Sequence, residues 1–131
     1  WELFQEQVDQ VDSLLDNYFQ NRDLSMTKDK YFEICEMLGS EPNTDEIPVE
    51  FADLPDIVQQ AIEIYGFLPD RWEGMSATFL GKDYSIAFDL FKTYEIDSYV
   101  EQRLLLRIMS VVDGIRSRII QNKQNTKKSS K

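Results

Sequence analysis

At 131 residues the chain has room for one hydrophobic core, and 42% hydrophobic residues with 12% aromatics is an ordinary globular composition. No apolar run approaches the length of a membrane span, and the start lacks the basic and apolar pattern of a secretory leader, so a soluble protein without membrane partners is expected. The formal charge is −10, from 24 acidic residues against 14 basic ones. An acidic body repels phosphate, which argues against nucleic acid as a partner of the main surface.

In chain order, a first helix is predicted from Glu2 to about Gln20, because Phe4, Val8, Val11, Leu14, Leu15, Tyr18 and Phe19 recur at the spacing of one helical face. Its beginning carries a further apolar set, Trp1, Leu3 and Phe4, which with Val8 and Val11 is a candidate surface for another chain. Asn21-Arg22-Asp23 closes this helix. Ser25 or Thr27 is placed to cap a second, whose apolar face is Tyr31, Phe32, Ile34, Cys35 and Leu38 and whose end is marked by Gly39. Cys35, the one cysteine, reads as a buried reduced thiol, which fits a cytoplasmic setting.

Residues 40–52 are acidic, contain Pro42 and Pro48, and show no period, so they form a connector. Asp53 is expected to cap a third helix with Pro55 in its first turn and Ile57, Val58, Ala61, Ile62 and Tyr65 on its buried face. Residues 66–84 follow, with three of the five glycines and the aromatics Phe67, Trp72, Phe79 and Tyr84; they read as an irregular link whose rings, Trp72 above all, belong to the core. A fourth helix carries Ala87, Phe88, Leu90, Phe91 and Tyr94. A fifth begins after Ser98, with Glu101 completing a capping box, and its stripe is Val100, Leu104, Ile108, Val111, Val112, Ile115 and Ile119. After Asp113 there are no acidic residues and six basic ones (Arg116, Arg118, Lys123, Lys127, Lys128 and Lys131), and residues 122–131, having no apolar member, are expected to be a disordered basic tail. The expected fold class is therefore all-α: a single-domain bundle of about five helices over residues 1–121, made of a helical hairpin (1–39), the connector (40–52) and a helical core (53–121).

Little of this points to catalysis. The chain has no histidine, hence no usual general base and none of the Ser-His or Cys-His pairings of nucleophilic catalysis; one cysteine excludes a zinc knuckle or an iron–sulfur set. Gly74 and Gly81-Lys82 are too far apart for a phosphate loop, and Asp83 stands where a Ser or Thr would hold magnesium. Asp70, Glu73 and Asp83 are the best carboxylates for a metal-dependent hydrolase, although acids flanking turns and helix starts serve as caps more often. Arg71, next to Trp72, reads as a local stacking or pairing partner. No cofactor and no metal site are expected, and the protein is not expected to be an enzyme.

One stretch resembles a known family. Arg71-Trp72, Gly74-Met75 and Gly81-Lys82-Asp83-Tyr84, followed by the apolar run from Ile86 to Phe91, resemble the small tail-assembly chaperones of tailed bacteriophages over residues 64–94. The resemblance implies a non-enzymatic morphogenesis protein of the host cytoplasm that binds a phage tail protein, such as the helical tape-measure protein, and keeps it soluble. It marks Arg71, Trp72, Gly74, Met75, Gly81, Asp83 and Tyr84 as the family-specifying residues. The helical hairpin before this stretch and the long helix after it exceed the family pattern, and leave a virion adaptor or small baseplate component as the alternative, with self-association also open.

Overall fold

The helical periods of the sequence are realised in the computed structural model, which describes the backbone of residues 2–129 and the side chains of residues 9–127. The order is α1 (Glu2–Asp23), α2 (Lys28–Leu38), a 3-10 turn (Phe51–Asp53), α3 (Asp56–Phe67), β1 (Asp70–Trp72), β2 (Phe79–Lys82), α4 (Ala87–Thr93) and α5 (Tyr99–Ser129). The chain divides into two compact units, Trp1–Pro55 and Asp56–Lys131.

In the first unit, α1 buries Leu15 and Phe19, one helical turn apart. Thr27 accepts the Lys30 N–H at 3.2 Å and caps α2, and Gly39 closes it at φ +67°. The connector is held to α1 by Asn17: its Oδ1 accepts the Val49 N–H at 2.8 Å and its Nδ2 donates to the Ile47 carbonyl at 3.3 Å. Both bonds answer backbone groups that no strand or helix would satisfy. Asp53 does not cap α3; its carboxylate takes the Glu50 N–H at 3.0 Å and pairs with Lys28, so it serves the 3-10 turn instead. Of the apolar face expected on α2, only Cys35 is buried; Phe32, Ile34 and Leu38 are exposed.

In the second unit, α3 and β2 both pack on α5. Val58, Ala61, Ile64 and Tyr65 of α3 meet a stripe of α5 made by Leu105, Ile108, Met109, Val112 and Ile115, with Leu68, Phe79, Ala87, Phe91 and Ile96 completing the buried set. The stripe is displaced from the expected one: Val100 is exposed, while Leu105 and Met109, absent from it, are fully buried. Leu104-Leu105-Leu106 and Ile108-Met109 place apolar residues on adjacent faces, and periodicity alone does not choose between them.

Two further expectations are corrected. The link over residues 66–84 is not irregular but contains an antiparallel hairpin, pairing Asp70 with Lys82, Arg71 with Gly81 and Trp72 with Phe79. The register slips between Arg71 and Trp72, leaving Leu80 as the extra residue of a bulge whose neighbour Gly81 sits at φ +93°. Residues 122–129, expected to be disordered, continue α5. Each residue added to an existing helix gains a hydrogen bond without a new nucleus, and Gln and Lys are good helix formers.

Candidate functional site: an anchored hairpin

The base of the hairpin is tied to α5 through the carboxylate of Asp113. Asp113 projects from α5 between Val112 and Gly114 and accepts hydrogen bonds from three donors: the Tyr65 hydroxyl on α3 at 2.5 Å, the Tyr84 hydroxyl at 2.6 Å, and the Lys82 backbone N–H of β2 at 3.2 Å. Gly81 makes this approach workable. A Cβ at that position would lie 3.3 Å from Asp113 Oδ2, and its φ of +93° disfavours any other residue.

An ionic layer lies beside this anchor. Arg116, one turn along α5, donates to Tyr65 Oη at 3.1 Å and to both carboxylate oxygens of Asp70 at 3.0 and 3.3 Å. Lys82 Nζ reaches Asp70 Oδ1 at 2.9 Å and donates to the Leu68 carbonyl at 2.6 Å. The Arg116 guanidinium also lies 4.6 Å from the Phe79 ring centre, a cation–π contact inside the network.

The electrostatics follow from this geometry. Burial, and then the bond to Asp113, push the Tyr65 and Tyr84 hydroxyls above the ordinary tyrosine range, so both stay neutral donors. The hydrogen bond from Arg116, aided by Lys82, holds the Asp70 carboxyl down to about 2, and Asp70 in turn raises the guanidinium. Every strong group is occupied by another protein group, an arrangement suited to holding a shape rather than to moving a proton.

The hairpin tip is ordered by its own bonds. Glu73 accepts the Ser76 N–H at 2.5 Å and the Ser76 hydroxyl at 2.6 Å, its N–H donates to the Thr78 carbonyl at 2.9 Å, and Ala77 takes φ +55°. Gln124 of α5 donates to the Ala77 carbonyl at 3.4 Å. On this braced frame large apolar side chains face outward: Met75 is 96% exposed, Leu80 49% and Trp72 48%. The Trp72 ring rests its other side near Phe79, with centroids 5.2 Å apart.

The residues marked by the resemblance therefore divide. Gly81 and Tyr84 belong to the Asp113 anchor, and Asp83 caps the turn into α4 by accepting the Ser85 N–H at 2.9 Å and its hydroxyl. Arg71, Trp72, Gly74 and Met75 are exposed, which corrects the expectation that the aromatic centre is core. A short hairpin has one inner face, and Phe79 with Gly81 fills it.

Asp70, Glu73 and Asp83 do not converge. Asp70 is engaged by Arg116 and Lys82, Glu73 by Ser76, and Asp83 by Ser85. Among the described residues no group of three or more Asp, Glu, Cys or His is arranged to hold a metal ion. A shallow groove beside α3 and the start of α5 is lined by Asp56, Ile57, Gln59, Gln60, Glu63 and Glu101. Of the surface expected on α1, Val11 is half-buried, Trp1 lies outside the described residues, and so do the side chains of Leu3, Phe4 and Val8.

The sequence reading missed Asp113 as the organising group. The signal was there: it is the one acid after Glu101, set between Val111-Val112 and Ile115, and a carboxylate beside an apolar stripe needs donors. Comparison with protein-family models, with curated proteins and with solved structures found no match.

Proposed function

We propose that this chain is a non-catalytic protein-binding component of phage morphogenesis, a tail-assembly chaperone that holds a helical tail protein through the exposed face of its hairpin. The observation that carries the reading is that Trp72, Met75 and Leu80 stay exposed on a hairpin pinned by Asp113. A braced frame loses little conformational freedom on binding, and exposed Trp and Met are the side chains that protein interfaces favour. The stretch that resembles the chaperones, residues 64–94, contains both the frame and these residues.

Two measurements test this. Co-expression with the products of neighbouring genes, followed by affinity capture of this chain, is expected to retain a tail protein that is insoluble when expressed alone. Purified phage particles are expected to lack this chain. Its presence there in fixed stoichiometry would favour the adaptor reading, and a partner equally soluble without it would contradict the chaperone role.

A further inference from the structure

The first unit carries an apolar surface that the hairpin reading does not use. On α2 the residues Ile34, Met37 and Leu38 follow the i, i+3, i+4 spacing of one helical face, and all three are exposed, Met37 at 86% and Leu38 at 75%. The stripe borders the side by which the helix is held, Tyr31 lying two turns before Leu38 and Cys35 next to Ile34. Cys35 is buried, and the Tyr31 hydroxyl accepts the Asn43 N–H at 3.0 Å, so the core side of α2 is already engaged. Thr27 and Gly39 fix both ends of the helix, and the stripe is displayed on a capped, two-end-closed rod.

Charge selects what can cover it. Glu33 and Glu36 lie on the adjoining side of α2 and Glu41 just beyond its end, all exposed, while Lys30 is tied to the Ser25 carbonyl at 3.1 Å. Trp1–Pro55 as a whole holds fourteen acidic residues against three basic ones, Arg22, Lys28 and Lys30. An acidic helix, an anionic lipid surface or the same face of a second copy would bring like charges together around the stripe.

We infer that the Ile34, Met37 and Leu38 face of α2 is a docking site for a basic amphipathic helix of a partner protein, with Lys or Arg flanking its apolar stripe. The apolar residues supply the contact area, and the carboxylates of α2 set orientation and reject acidic competitors. This site is independent of the hairpin, so either can fail without the other.

The test uses the full chain with methyl-labelled methionine and two synthetic amphipathic helices of identical leucine pattern, one with lysine and one with glutamate on the polar face. The lysine peptide is expected to bind at least about tenfold more tightly, to shift the Met37 methyl resonance, and to weaken as salt is raised. The double variant Met37→Ser/Leu38→Ser, both positions being exposed, is expected to keep its melting temperature and lose that binding by about tenfold or more. The variant Trp72→Ser is expected to bind the peptide as the parent does. Equal binding of the two peptides, an unmoved Met37 signal, or undiminished binding by the double variant would each overturn the inference. So would concentration-dependent self-association that the double variant abolishes, since the face would then belong to a second copy of the chain.

Discussion

Asp113 receives two phenols and a backbone N–H, from Tyr65, Tyr84 and Lys82. Removing it leaves those groups unsatisfied at a partly buried site, and Asp113→Ala is expected to cost about 3 kcal/mol in denaturant unfolding. Gly81→Ala combines an unfavourable φ with a contact against the same carboxylate, and about 1–3 kcal/mol is expected in the same measurement. Asp70 offers a pH test whose sign is fixed. Its folded value, about 2, lies below the ordinary 3.8, so its pairing with Arg116 and Lys82 stabilises fully above the ordinary value and is lost as pH falls through the folded one. With 32% of the side chain exposed, solvent screening limits the contribution to about 1 kcal/mol. The melting difference between the parent and Asp70→Asn is expected to be present near neutral pH and to vanish toward about pH 2.

Among the elements, the hairpin separates what holds the fold from what faces outward. A buried tryptophan truncated to alanine costs about 3–5 kcal/mol, whereas Trp72, about half of whose surface is exposed, is expected to cost about 2 kcal/mol in thermal melting. The end of α5 provides a second test. Truncation after Gln121 is expected to lower the far-UV helical signal in proportion to the residues removed, and an unchanged signal would mean that residues 122–129 are not helical in solution. All five helices, α1 to α5, were legible because their apolar residues recur at helical spacing and Thr27, Ser98 and Gly39 mark ends. The hairpin was not legible. Its strands are three and four residues long, too short for alternation to show, and Gly74 and Gly81 read equally well as joints of a loop.

For the molecule as a whole, charge is distributed unequally between the two units. The first unit is strongly acidic, whereas the second ends in a stretch of α5 with basic residues only. Composition revealed that asymmetry, and the absence of histidine narrowed the chemistry before any geometry was known. Which aromatic residues are covered could not be read in the same way, because Trp72 and Phe79 are paired across the hairpin and only Phe79 is covered, by β2 packing on α5, a long-range contact that no local pattern announces. Under the proposed function the anchored hairpin is a binding surface rather than a structural joint. The direct test is the affinity of the proposed partner for Trp72→Ser/Met75→Ser, measured by calorimetry beside the melting temperature of the same variant. An affinity reduced at least about tenfold is expected, with the melting temperature lowered by no more than several degrees. Unaltered affinity, or a loss that appears only together with a collapse in melting temperature, would contradict that binding role.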